Sequence, residues 1–137
     1  WNAEITNTLL QGAADTLKRT GAKPENIRIV HVPGSFEIPF AARQLAETFK
    51  PDAVICLGCV IQGETRHFDY ICQGVTQGIT ELNLRYDIPF IFGILTTQNI
   101  EQASERSGGR HGNKGDEAAV TAIRMVYQQR ELLKGKK

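Results

Sequence analysis

No apolar run in these 137 residues approaches the ~20 that a membrane-crossing helix needs. No secretory-type leader opens the chain, although the N-terminus reads as incomplete and leaves a removed targeting segment open. An excess of either charge is missing too. Sixteen Lys and Arg stand against fifteen Asp and Glu, a formal charge of +1, so no net field points to nucleic acid or an anionic membrane. The one basic run, Lys134-Gly135-Lys136-Lys137, reads as a solvated end. Cysteine is scarce: Cys56, Cys59 and Cys72 are an odd set inside apolar stretches. That favours buried thiols in a reducing compartment, and hence the cytoplasm, over a disulfide framework. The sequence also lacks the Gly-x-x-x-x-Gly-Lys-Ser/Thr loop of nucleotide hydrolases and the Gly-x-Gly-x-x-Gly dinucleotide fingerprint. It has no internal repeat, linker or low-complexity stretch, so one domain over 1–137 is expected.

What is present is ordinary for a globular chain, 41% hydrophobic and 23% charged. Ile5, Leu9, Ala13 and Leu17, with Leu10 and Ala14 beside them, repeat at helical spacing. Asn2 suits the N-cap of that helix, and Gly21 follows its end. Ile27 to Val32 is short, β-branched and bounded by turn residues, which predicts a strand. Pro33-Gly34-Ser35 then turns into a helix over about Phe36 to Phe49, where Pro39 is tolerated only in the first turn. The nearly continuous apolar run Ala53 to Ile61 predicts a strand covered on both faces. A helix over about Phe68 to Arg85 follows, then a strand from Phe90 to Leu95 and a short helix over about Ile100 to Ser107. After a Gly-rich link, a last helix from Asn113 to about Leu133 carries Ala119, Ile123 and Val126 in its apolar stripe. Strands alternating with helices give an α/β fold, a three-layer sandwich around a parallel sheet. Three strands make a thin sheet, and a further strand before Trp1 would complete it.

Open α/β sheets bind ligands beyond the carboxyl ends of their strands. The segments leaving those ends are Val32 to Glu37, Gln62 to His67 and Thr96 to Asn99, with Trp1-Asn2 joining them if a strand precedes it. Their indole, phenyl ring, carboxylates, hydroxyls and imidazole fit a small polar aromatic ligand. His67 stands at a helix start, where an imidazole can pass protons both ways, or is simply a helix-start histidine. Gly63-Glu64-Thr65 offers backbone N–H groups and a hydroxyl to a phosphate, or plain capping. Arg106, Arg110 and Lys114 sit around flexible Gly-rich backbone, where cations either clamp a phosphate or face solvent. Cys56-x-x-Cys59 invites a metal reading, but strand residues three apart face opposite sides, and no second Cys/His pair is near. No metal is expected. His31 and His111 have no partner in sequence and stay unassigned.

Over essentially its whole length the chain resembles the lumazine synthase family. The resemblance is carried by Trp1-Asn2, by Val32 to Pro39, and by Gly58 through Tyr70 with its Gly63-Glu64-Thr65-Arg66-His67-Phe68-Asp69-Tyr70 core. It continues in Phe92-Gly93-Ile94-Leu95-Thr96, in Glu101-Gln102-Ala103 with Arg106, and in Gly112-Asn113-Lys114-Gly115 with Glu117-Ala118-Ala119. Six pieces in the right order and spacing are far more specific than any one of them. The resemblance implies a flavodoxin-like sandwich whose first strand precedes Trp1. It implies condensation of 5-amino-6-(ribitylamino)uracil with dihydroxybutanone phosphate to dimethyl-ribityllumazine, the penultimate step of riboflavin biosynthesis. Neither metal nor organic cofactor is implied, because proximity and modest proton transfer suffice.

By the same resemblance, Trp1 stacks on the uracil ring. Ser35, Phe36, Glu37, Cys59, Val60 and Ile61 bind the uracil and ribityl groups. Glu64 and Thr65 meet the ketone phosphate, and His67 transfers protons. Phe92 and Arg106 reach into a neighbouring subunit's site, Arg106 holding the phosphate with Lys114 close by. That implies a pentamer, and a sixty-subunit shell where no insertion blocks the bend between the last two helices. None is visible between Ser107 and Gly112. Gln62 departs from the Arg or Lys usual in the family. Two other readings stay open: a non-catalytic flavin- or pteridine-binding or shell-forming protein, and a riboflavin synthase of the archaeal type. Both have less use for His67 together with Arg106.

Overall fold

Two parallel strands carry the centre of the fold. In the computed structural model, which describes residues 2–135, β1 (Val54–Ile61) pairs with β2 (Phe90–Thr97), from Val54 opposite Phe90 to Ile61 opposite Thr97. Both are apolar on both faces, as a sheet covered by helices on two sides requires. Val54 and Cys56 of β1, with Phe90 and Ile94 of β2, face α2 (Ile38–Phe49) and α3 (His67–Arg85), where Ala42, Ala46, Val75 and Ile79 close the core. On the opposite face Cys59 and Leu95 meet α1 (Ala3–Arg19) and α4 (Ile100–Glu105) through Ile5, Leu9 and Ala103. Ile91 on that face meets Ala118 and Ala122 of α5 (Lys114–Lys134). The expected α/β sandwich with a parallel sheet and five helices is therefore present. Among the described residues, no helix is long and apolar enough to cross a membrane.

Helix ends mostly follow local chemistry. Pro39 falls in the first turn of α2. Asn113 caps α5 by accepting from the backbone N–H groups of Gly115 and Asp116 at 2.8 and 3.3 Å. Asn2 does not act as the expected side-chain cap of α1. It takes a left-handed backbone (φ 57°), and its Nδ2 donates instead to the Cys59 carbonyl at 3.4 Å. A tertiary contact has displaced a local one.

The expected strand Ile27 to Val32 is the main correction. The segment follows a single 3-10 turn and enters no ladder. Its residues suit extended backbone, but no other backbone lies in ladder contact with it among the described residues. A cavity of about 270 Å³ is lined on one side by Val30 to Ser35 and on the other by Val54 to Cys59. Among the described residues β1 pairs only with β2, so its other edge has no strand to bond. Ile29 and Val30 are consequently about half exposed, at 50% and 53%.

The expected Gly-rich link is also more ordered than its composition suggests. Residues 107–113 form a small antiparallel hairpin, β3 (Ser107–Gly109) with β4 (Gly112–Asn113). Gly108 and Gly112 take positive φ values of 109° and 82°, which side-chain-bearing residues seldom adopt. The hairpin fixes how α4 hands over to α5, and so where Arg106 and Lys114 sit.

Candidate functional site

The two strands end side by side, and the segments that leave them begin there. Gln62 N–H donates to the Thr97 carbonyl at 2.8 Å, so both strands leave the sheet together. The turn that follows carries Glu64 and Thr65, both exposed, and Thr65 Oγ1 accepts from His67 N–H at 3.3 Å. His67 is thus the first residue of α3. Its exposed imidazole makes no hydrogen bond among the described residues.

Ser35, Phe36 and Glu37 form one 3-10 turn at the entrance to α2. Bare glycines bring that turn close: a Cβ on Gly58 would lie 2.8 Å from Ser35 Oγ, and one on Gly74 3.0 Å from Phe36 Cε1. Phe36 therefore rests on α3 yet stays 57% exposed, leaving ring area for a ligand. Cys59, Val60 and Ile61 finish β1 beside it, Cys59 buried and the other two half-buried. The stacking role expected of Trp1 lies outside the described residues.

Arg106 and Lys114 meet elsewhere. Both line a second cavity of about 470 Å³ at the end of β2, together with Thr96, Thr97, Gln102 and Glu117. Glu64, Thr65 and His67 line neither cavity. Within one chain, then, the expected phosphate-binding cations line a cavity that the expected proton-transfer group does not. Phe92 is half-buried against the chain's own core, so only part of its ring is open to a neighbour.

Arg106 is braced rather than loose. Its Nη1 donates to the Gln102 carbonyl at 3.0 Å. Gln102 is held in turn, its N–H by Asn99 Oδ1 and its Oε1 by Gln98 N–H, each at 2.8 Å. The Asn-x-x-Gln signature of a capped helix start could have disclosed this clamp from the sequence. Thr97, Gln102, His111 and Glu117 also line the cavity, and none had been given a role. Among the described residues no group of three or more His, Cys, Asp or Glu side chains could hold a metal ion.

The thiols diverge as strand alternation requires, Cys56 toward α2 and α3 and Cys59 toward α1. None is in a disulfide. Burial pushes Cys56 up to about 12 and Cys59 to about 11, from a usual value near 9. The folded state thus keeps both thiols protonated where an unfolded chain would ionise them. The resulting stability is complete below pH 9 and is lost as pH climbs through 11 to 12. Thermal melts above pH 9 are expected to fall by up to about 1.4 kcal/mol per pH unit for each thiol. Cys56→Ala should start lower, for want of packing, but fall less steeply. Identical slopes in mutant and wild type would remove the thiol as the cause.

Comparison with known proteins agrees with this geometry. The family model described as 6,7-dimethyl-8-ribityllumazine synthase matches residues 1–130. A protein of that name from Parabacteroides distasonis is 67% identical over 126 residues, covering 92% of this chain and 79% of its own. One from Bacteroides fragilis is 58% identical over 92% of this chain and 88% of its own. One from Porphyromonas gingivalis is 57% identical over 95% and 81%. The fold, the grouped site segments and a match running almost from end to end agree: this chain belongs to the 6,7-dimethyl-8-ribityllumazine synthase family.

Proposed function

We propose that the chain, acting as one domain, condenses 5-amino-6-(ribitylamino)uracil with 3,4-dihydroxy-2-butanone 4-phosphate to 6,7-dimethyl-8-ribityllumazine. An amine of the uracil adds to the ketone and water leaves, giving an imine. Inorganic phosphate is then eliminated, and ring closure with loss of a second water completes the lumazine. The observation that carries this reading is the cavity at the end of β2 lined by both Arg106 and Lys114. Two cations in one recess suit a phosphate monoester. Ser35, Phe36, Glu37 and the Cys59-Val60-Ile61 backbone hold the uracil and ribityl groups, with Trp1 stacking on the ring. Glu64 and Thr65 meet the ketone phosphate, and His67 moves the proton. The three cysteines, none in a disulfide, favour the reducing cytoplasm as its place of work. Mixing the pure protein with both substrates tests the reading. Lumazine absorbance is expected to rise, and its absence under conditions where the protein is folded would refute the assignment.

That Arg106 and Lys114 line one cavity while His67 lines neither supports a site completed by a neighbour. Phe92 and Arg106 of one copy then face the His67 turn of the next. Such head-to-tail contact closes into a ring when the rotation permits, and a pentamer is the expected active unit. Large exposed apolar residues such as Phe40, Tyr70, Leu84 and Tyr127 have area to bury in it. The short β3–β4 hairpin leaves the bend between α4 and α5 tight, which favours further assembly into a shell of sixty. Sedimentation of the active protein is expected to show pentamers or multiples of them. An active monomer would overturn the shared site.

A further inference from the structure

His111 is the one histidine drawn into the cavity that holds Arg106 and Lys114. It comes from the turn of the β3–β4 hairpin, between Gly109 and Gly112, and the backbone ties that turn to α4. His111 N–H donates to the Glu105 carbonyl at 2.7 Å, and Lys114 N–H to the Arg106 carbonyl at 2.8 Å. The Glu105 carboxylate is shared between two cationic side chains. Its Oε1 lies 3.2 Å from Arg110 Nη2 and its Oε2 3.6 Å from His111 Nε2.

We propose that the His111 imidazolium is a third cation of the anion subsite, so that the subsite holds a doubly charged anion more tightly as pH falls through the histidine range. The inference rests on the anion-binding role given above to Arg106 and Lys114. Glu105 is the charged group in contact with His111, with Arg110 on the same carboxylate, while Arg106 at the end of α4 and Lys114 and Glu117 on α5 line the same cavity as His111. Arg110 already neutralises Glu105, so that carboxylate orients the imidazolium without cancelling it. Glu117 offsets one of the other two cations. The cavity therefore carries about one net positive charge with His111 neutral and about two with it protonated. A doubly charged anion senses that difference, moderated because the His111 side chain is about half exposed. Histidine is the side chain whose charge changes within the working range of a cell.

Inorganic sulfate is the probe, because it keeps both charges across this range whereas phosphate itself titrates. Its inhibition of the assembled enzyme against the ketone phosphate is measured from about pH 8 down to about pH 5.5, spanning the histidine range. Sulfate affinity of the wild type is expected to rise roughly three- to tenfold over that span. His111→Gln should bind sulfate as the wild type does at the alkaline end and show no rise. The same rise in His111→Gln as in wild type would overturn the role of His111 and leave the Arg106–Lys114 site standing. Sulfate that binds wild type and Arg106→Ala alike would instead overturn the anion site itself.

Discussion

Arg106→Ala is expected to weaken use of the phosphorylated ketone by about 2–3 kcal/mol, roughly 30- to 150-fold. The figure follows from how the side chain is held. One guanidinium nitrogen is committed to the Gln102 carbonyl, 3.0 Å away, and the plane of the group is set by that bond. Among the described residues no carboxylate lies within ion-pair range of it, so its charge remains available to the cavity. A half-buried, pre-oriented guanidinium loses little entropy on meeting a phosphate and forms charge-assisted bonds, the stronger class of polar contact. Alanine removes the charge and leaves Lys114 as a single point cation. Arg106→Lys should restore part of the loss, because it returns the charge without the planar fork. The measurement is a titration of the ketone phosphate at saturating diamine, and diamine binding should hardly change. Equal apparent affinity and rate in mutant and wild type would end the assignment.

The sequence disclosed most of the fold where local pattern and tertiary packing agree. Alternation in Ala53 to Ile61 placed Cys56 and Cys59 on opposite faces, and the two core clusters divide them in that way. The helical stripe of α1, the position of Pro39 and the Asn113 cap were all readable, because each depends on neighbours within a turn or two. Ile27 to Val32 was misread because β-branched composition states a preference for extended backbone, while a strand needs an adjacent backbone to bond. Local sequence does not say whether that adjacent backbone is there. β2 was read two residues short for the converse reason: exposed Thr96 breaks the apolar run, but pairing opposite Val60 and Ile61 carries the strand on to Thr97.

The candidate site was legible in the same uneven way. Arg106 and Lys114 stood out as cations beside glycines, and the structure does bring them into one cavity. His111 carried no such signal. A lone histidine in a Gly-rich stretch has no spacing to read, and its place beside Glu105 depends on a hairpin that composition alone does not specify. His67 was legible as a helix-start residue. That it lines a different part of the surface from the cations was not, since that follows from how β1 and β2 hand over to different helices.

His67→Ala is expected to slow lumazine formation by about 10²-fold, the lower end of what a general acid–base group contributes. The low end is chosen because the amine and ketone react slowly by themselves, so holding the two together supplies much of the acceleration. The imidazole is suited to the task by its freedom. It stands on the first residue of α3, exposed, with the backbone below it fixed by Thr65 Oγ1 and no side-chain bond to break before it meets a substrate. For the same reason the substitution removes no packing, and the melting temperature should hold. Single-turnover formation of lumazine, followed beside equilibrium binding of the diamine, separates proton transfer from binding. Added imidazole should recover part of the lost rate in the mutant, because the vacated position is open to solvent. A mutant as fast as the wild type would sink the proton-transfer role. One that has lost the diamine along with the rate would make His67 a residue that holds the substrate rather than one that moves its proton.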